Sequence, residues 1–580
     1  MKILLKSRVE IFFVYIYCTA IFLFAPYLFY RDIIGGIYST STYFIWLIGI
    51  LSWIYYTSAN GINYKIFGWL FFLLAFVLVW GQHNLIEGFH FFLNIFSLSG
   101  FFLFFQRRWN IKKGESVLVV LCISFLIQIM IACNQAVRNN YSALKVKGLF
   151  HNSGFFANYL AITLPLLFSY LLAKLPSRSI KNFFLSLLFL VSVLLLLISL
   201  ARAAIIGFVV GSVIILFLEK KLKFNSKKRM LIVVSVIVSL SVLLLNIKPH
   251  SVSGRLTIYR VSLNLIEDNL LMGVGLNKFS SVYNNYQADY FRTVETPIDS
   301  QILATNTYEA FNSILQVLSE FGIIGFFVLL ITIYMAVNLF RTKENVGYLE
   351  WHRKGSIGCL IAALCTSFFS NPFHFFPILL VLSYHLAVLF SGRQEEIFMP
   401  FKLKITTITT LIFLLIIVLY YSINQYQAEK NWDKASQLSL YGDYSKAKKY
   451  YEKAYIHLKF NGNFLFNYGA EASLAGDYTL SIFLLERSKH YASNSYIFSY
   501  LGDSYLATNQ FSIAEKNYLH AAYMVPSHII PKYKLVKLYR VWEKPEKKKY
   551  WKERALSYPT KVKTSLTEEI LQELRREKDN

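Results

Sequence analysis

Arg202 stands in Ser199-Leu200-Ala201-Arg202-Ala203-Ala204, a turn that is otherwise apolar or small. A guanidinium in such a setting is costly unless it is paired or faces water. It keeps its charge, and its rigid donor fork matches phosphate oxygens. One reading is a phosphate or diphosphate clamp, and the other is an interfacial arginine reaching back to lipid headgroups. Arg255 follows Ser253-Gly254, and Arg260 comes soon after. Residues 255–269 interleave these cations with Leu256, Tyr259, Val261, Leu263, Leu265 and Ile266, which predicts an amphipathic helix at a membrane surface. Such a helix presents arginine to a lipid-linked anion or simply attaches to anionic lipid. Asn312, Gln316 and Glu320 recur at every fourth position, with Glu309 and Ser313 on the same face and Leu315 and Leu318 opposite. This polar stripe lines a cleft, or belongs to an ordinary amphipathic entry helix. It runs into an apolar stretch where Gly322 and Gly325 permit close helix contact. His151 and His374 are isolated near the ends of apolar segments, which suits interfacial histidines better than catalysts.

The elements that must position these residues are apolar. The chain has 580 residues, 55% hydrophobic and only 16% charged, against about 25% charged in ordinary soluble domains. Apolar segments fall at 10–30, 41–58, 65–82, 88–105, 115–134, 154–173, 182–200, 203–219, 229–246, 322–340, 354–371, 373–391 and 405–422. None alternates apolar with polar residues, which excludes a barrel and predicts an all-α polytopic protein of about 12–13 transmembrane helices. The first segment follows Lys2, Lys6 and Arg8, lacks a small-x-small cleavage site, and reads as an uncleaved helix. A long polar loop, 247–311, interrupts the series.

A net charge of +26 invites a nucleic-acid reading, but its placement argues against one. Arg107, Arg108, Lys112, Lys113, Lys174, Arg178, Lys181, the 220–229 lysine run, Arg341, Lys343, Arg353, Lys354, Arg393, Lys402 and Lys404 all fall on one side of the predicted spans. The positive-inside rule makes that side cytoplasmic. The long loop and the C-terminal region are then expected on the outer side of the membrane. The five cysteines (Cys18, Cys122, Cys133, Cys359 and Cys365) lie in apolar segments, with no disulfide framework, metal spacing or cofactor motif. Ionisable groups are scarce within the spans, which argues against a transporter or flippase.

Beyond residue 422 the chain changes character. Gly442-Asp443-Tyr444 with Ala447, Tyr451 and Ala454 recurs as Gly476-Asp477-Tyr478 with Ser481, Leu485 and Ser488, then as Asn509-Gln510-Phe511 with Ala514, Tyr518 and Ala521. The period of 34 and then 33 residues predicts a tetratricopeptide-like array over 424–540, suited to a protein partner or to supporting a neighbouring domain. Residues 541–580 are charged and predict a capping helix with a frayed end.

Together these segments resemble the O-antigen ligase and polymerase superfamily over about 145–390. Gly148–Pro165 is similar to the family's Gly-x-Phe…Asn entry to a Leu-Pro helix. Ser199–Arg202 is similar to its Ser-x-x-Arg turn, and Ser253–Arg255 with Gly273–Phe279 to its Ser-Gly-Arg and Gly-Val-Gly-x-x-x-Phe. Asn312, Gly322 and Gly325 keep the spacing of its His-Asn…Gly-x-x-Gly, with Phe311 in the histidine position. The resemblance implies transfer of a glycan from undecaprenyl diphosphate to a lipid or protein acceptor hydroxyl, without metal or nucleotide. It implies that Arg202 and Arg255 grip the diphosphate. Phe311 cannot act as the base, which leaves Glu309 as the nearest candidate, with Glu320 or His151 behind it. A non-catalytic envelope assembly scaffold using the repeat domain, or a lipid-linked glycan transporter, is the alternative.

Overall fold

The computed structural model describes residues 40–60, 64–82, 85–107, 111–138, 146–150, 152–174, 179–219, 228, 231, 235, 249–340, 350–390, 400–559 and 564–576. Among them there are helices and connecting loops and no strand. The all-α expectation therefore holds, as the lack of period-two alternation requires. The expected span at 10–30, all of the expected span at 229–246 but positions 231 and 235, and His151 lie outside the described residues.

The membrane bundle contains α1 (Thr40–Asn60), α2 (Tyr64–Trp80), α3 (Leu85–Arg107), α4 (Ile111–Arg138), α5 (Ser153–Lys174), α6 (Ile180–Ile198) and α7 (Arg202–Leu218). It continues with α11 (Ser313–Phe340), α12 (Glu350–Ser367), α13 (Phe376–Leu389) and α14 (Phe401–Leu440). Six described helices are long and apolar enough to cross a membrane, and three shorter apolar helices accompany them. This is a multi-pass membrane protein. Its α6, α11 and α14 leave Phe183, Leu190, Phe327, Ile331, Phe413 and Ile416 exposed, the apolar surface that lipid covers in a bilayer.

The centre of the bundle is α5, packed on α7 and α12. Gly207 and Gly211 on α7 face Ala362 and Gly358 on α12, the small-residue contact by which helices associate in lipid. Polar ties mark the two ends. At one end the Ser169 hydroxyl donates to the Trp351 carbonyl (2.6 Å), Lys354 pairs with Glu219 (3.1 Å), and Gln106 donates to the Phe390 carbonyl (2.8 Å). At the other end the Asn158 amide donates to Ser370 Oγ (3.1 Å) and Thr366 Oγ1 to the Ala203 carbonyl (3.5 Å).

The loop region lies at this second end. It comprises α8 (Pro249–Asp268), α9 (Phe279–Thr293), the short α10 (Ile298–Leu303) and a non-helical run over 304–312. The expected amphipathic helix is α8, but it begins at Pro249, so Ser253-Gly254-Arg255 lies inside it. A break at Gly322 (φ 63°, ψ −170°) divides α11. The Gly-Val-Gly segment clasps that break. The Val274 and Gly275 amides donate to the Ser319 and Glu320 carbonyls, and the Ile323 and Ile324 amides donate to the Leu270 and Leu271 carbonyls. Trp80 Nε1 closes the clasp on the Met272 and Phe321 carbonyls. A broken helix survives in an apolar setting only when its freed backbone groups are satisfied in this way. No Cβ fits at the crossing: one on Gly273 would lie 2.4 Å from the Glu320 carbonyl carbon, and one on Gly322 would lie 2.4 Å from the Leu271 oxygen.

α14 runs unbroken from its membrane segment to Leu440, so no linker separates the bundle from the repeats. The helices α15 (Tyr444–Leu458), α16 (Gly462–Leu474), α17 (Tyr478–Ser488), α18 (Ser495–Ala507), α19 (Phe511–Met524), α20 (Ile529–Val541) and α21 (Pro545–Ser557) follow, with α22 (Ser565–Arg576) packed on the end. They pair as hairpins, α14 with α15, α16 with α17, α18 with α19 and α20 with α21, in one stack. Gly442, Gly476 and Asn509 all take positive φ at the turn within a hairpin, and Glu543 takes it at a fourth such turn. The stack therefore extends through the segment expected to be only a charged cap with a frayed end.

Candidate functional site

The site is built where the second end of the bundle meets the loop region. Arg202 is the first residue of α7. Leu200, two positions earlier, has a positive φ of 52°, which is uncommon for a side chain of this kind and holds the turn in a strained form. Arg255 projects from α8. Its Nη1 donates to the Phe369 carbonyl (2.6 Å), and its guanidinium lies over the Phe311 ring, 5.4 Å from the centroid. Phe311 also has a positive φ (51°), and its carbonyl accepts the Tyr259 hydroxyl (3.2 Å). The residue in the histidine position is thus a platform for the second arginine.

Arg202, Arg255, Glu309 and His374 come together. Burial lowers the proton affinity of Arg255. Tyr259 and Glu309 oppose that shift, and the like charge of Arg202 adds to it. Burial raises the Glu309 carboxyl above its ordinary range, while His374 and Arg255 act the other way. Each of these groups is close enough to another to be felt electrostatically, although they come from α7, α8, the run before α11 and the 3-10 turn Pro372–His374. His374 is exposed at that turn. Isolated in the sequence, it carries no signal, and only its proximity to Glu309 marks it.

Glu309 does not share a helical face with Asn312, Gln316 and Glu320, as the spacing predicts. It lies in the non-helical run, and Phe311 turns the chain before α11 starts. Asn312 caps α11, its Oδ1 accepting from the Ile314 and Leu315 amides while its Nδ2 donates to the Phe368 carbonyl (3.0 Å). Gln316 accepts from the Ala310 amide (2.8 Å) and donates to Glu320 (2.8 Å). Glu320 accepts in turn from the Asn277 amide (3.2 Å). Both Gln316 and Glu320 are buried, and these bonds hold the run before α11 and the loop after the clasp. Arg260 is exposed, and five residues place it about 140° around α8 from Arg255. Ser313 donates to Asn371 Oδ1 (3.1 Å), but Asn371 Nδ2 is buried without a hydrogen-bond partner among the described residues.

Two histidines that the sequence reading passed over, His352 and His385, are buried at the far end of the bundle, bonded to Tyr384 and Ser356. Among the described residues no group of three or more His, Cys, Asp or Glu is arranged to hold a metal ion.

Residues 187–330 match the family model described as O-antigen ligase. That interval contains Arg202, the whole loop region, the Gly273–Gly322 clasp and the start of α11. It supports a membrane protein of O-antigen ligase type, with ligase or polymerase activity and a lipid-linked glycan as its context. No curated protein matches the chain. Among solved structures, the one titled "Crystal structure of APC/C hetero-tetramer Cut9-Hcn1" aligns with 83% of this chain and 76% of that chain, at 10% identity and a TM-score of 0.23. A likeness that slight carries no argument.

Proposed function

We propose that this protein transfers a glycan from undecaprenyl diphosphate to an acceptor hydroxyl on the periplasmic face of the inner membrane. The observation that carries the reading is the convergence of Arg202 and Arg255 beside Glu309, from elements far apart in the chain. Two guanidinium groups at the end of an apolar bundle suit a diphosphate whose polyprenyl tail stays in lipid. The acceptor oxygen attacks the anomeric carbon and the bond from that carbon to the diphosphate oxygen breaks. The electron pair stays on the leaving undecaprenyl diphosphate. Arg202 and Arg255 neutralise the charge that grows there, an electrostatic contribution usually worth about 10²–10³ in rate for each donor removed. The acceptor proton passes to the Glu309 carboxylate, and His374 beside it carries the proton on to water.

Gln316, Glu320 and Asn312 act as positioning residues in this scheme, because their polar atoms hold the run that bears Glu309 and the turn that bears Phe311. The test is reconstitution with an undecaprenyl-diphosphate oligosaccharide and candidate lipid or protein acceptors. Arg202→Ala and Arg255→Ala should each lower turnover by at least about 10²-fold while the protein still inserts and folds. Full activity in both variants would sink the reading. A non-catalytic assembly scaffold is the second reading, favoured by Phe311 in the place of the family's histidine, and it predicts no product from the wild-type protein with any acceptor.

A further inference from the structure

We propose that the repeat stack is an internal strut of the transfer site, acting through Asn284 and Gln287 on α9 to hold the run that carries Glu309. This rests on the glycan-transfer reading above.

The two amides are fully buried, and each bonds in two directions. Asn284 Nδ2 donates to the Ser493 carbonyl of the repeats (2.7 Å) and to the Thr307 carbonyl of the run before α11 (3.0 Å), and its Oδ1 accepts from the Thr307 amide (2.8 Å). Gln287 Nε2 donates to the Met524 carbonyl of the repeats (2.7 Å) and to the Thr305 carbonyl (3.0 Å), while its Oε1 accepts the Tyr283 hydroxyl (3.2 Å). Every donor and acceptor of both side chains has a partner. A saturated buried amide is held in one orientation, because any other leaves unpaired groups at about 1–3 kcal/mol each. Between the two lies Asn306, which bonds the repeats directly: its Oδ1 accepts from the Ser495 amide (3.0 Å). Ala288, one turn on from Asn284, is part of the apolar core formed by Leu485, Ile497, Phe498, Leu501 and Met524. Residues 305–307 therefore lie between α9 and the repeats with their backbone bonds fixed, two positions ahead of Glu309.

The stack has a second anchor. α14 enters it as a continuous helix from the bundle, so it cannot swing about a linker. Tyr43 on α1 donates to Glu429 (2.8 Å) beyond the apolar part of that helix. With one end rigidly joined to the membrane helices and a side docked on α9, the stack fixes the loop region relative to the bundle. The face of the repeats that covers α9 is occupied by this chain itself.

The test uses the full-length protein in detergent, comparing wild type with the Asn284→Ala/Gln287→Ala double variant. Hydrogen–deuterium exchange is read on peptides covering 304–311, on the bundle helices and on the repeats, and transfer kinetics are read with undecaprenyl-diphosphate oligosaccharide. The strut predicts faster exchange in 304–311 with the bundle and repeats unchanged. It also predicts a kcat lower by about 10-fold or more, at a donor KM within about twofold, since small misplacements of a reacting group cost rate more than binding. Asn284→Asp, which keeps the acceptor for the Thr307 amide and loses both donors, should fall between. A purely structural role would instead lower activity in proportion to the folded fraction, and that result overturns the proposal, as does unchanged exchange in 304–311. A wild-type protein that transfers nothing, with exchange still rising in the variant, would sink the transfer reading and leave the strut in place.

Discussion

At the residue scale the site turns on Phe311, which occupies the place where the family resemblance expects a histidine. Its ring carries Arg255, its carbonyl holds Tyr259, and its backbone takes a conformation that bulky residues avoid. In the transfer proposal the proton-accepting duty then belongs to Glu309. Burial raises its carboxyl pKa, which makes it a better base near neutrality than an exposed carboxylate. As the base it must be ionised, so kcat/KM should climb as pH rises through the raised pKa and then level off. Glu309→Gln should lose that limb together with about 10²–10⁴ of the rate. Stability runs the other way. The folded state holds the proton above the ordinary carboxylate pKa, where the unfolded chain has already released it. Glu309 therefore favours folding at low pH, and that contribution falls away as pH rises through the window between the two values. The Gln variant should lack this slope in thermal unfolding followed against pH. An unchanged rate profile would remove Glu309 from the chemistry.

At the element scale the decisive feature is the clasp between 270–276 and the break in α11. Gly322→Ala would force a left-handed backbone on a side chain and drive a Cβ to 2.4 Å from the Leu271 oxygen. The combined penalty is about 2–4 kcal/mol. Gly442 is the control. Its φ is also positive (80°), but nothing lies within 4 Å of a Cβ there, so Gly442→Ala should cost only about 1–2 kcal/mol. Thermal unfolding of both variants in detergent checks the difference, and equal losses would mean that the clasp does not depend on close approach. The sequence shows Gly-Val-Gly and Gly-x-x-Gly as motifs but not that they meet, because their contact is made across the fold and leaves no local period. The same limit explains Glu543. It takes the turn geometry of Gly442, Gly476 and Asn509, but glutamate is not a residue that signals a turn, so three hairpins are legible and the fourth is not. Arg202 and Arg255 stand out by their chemistry alone. His374 does not, since a lone histidine acquires meaning only from its neighbours in space. The length of α14 is also hidden, because the change in composition near 422 looks like a boundary while the backbone simply continues as helix.

At the scale of the whole molecule, the basic groups at the ends of the bundle helices and the site separate to opposite ends. Trp351, Lys354 and Glu219 meet at the end where α5 finishes and α12 begins, and Gln106 joins Phe390 there. Lys354, Arg107 (the last residue of α3) and Lys174 (the last of α5) belong to that end. Arg202, Arg255, Glu309, His374 and the repeats belong to the other. The positive-inside rule predicts that the basic end faces the cytoplasm, and the transfer proposal requires that a lipid-linked donor presented outside meet the arginines directly. This orientation can be read without any activity. In a chain whose Cys18, Cys122, Cys133, Cys359 and Cys365 are replaced, a cysteine is introduced by Asp299→Cys in α10 or by Glu350→Cys at the start of α12, both exposed positions. An impermeant maleimide added to intact spheroplasts should label the Asp299→Cys protein at once. The Glu350→Cys protein should label only after the membrane is opened. The reverse pattern would put both guanidinium groups in the cytoplasm, where they could not act on a donor displayed on the outer leaflet. The transfer proposal would then fail even if every local distance in the site were right.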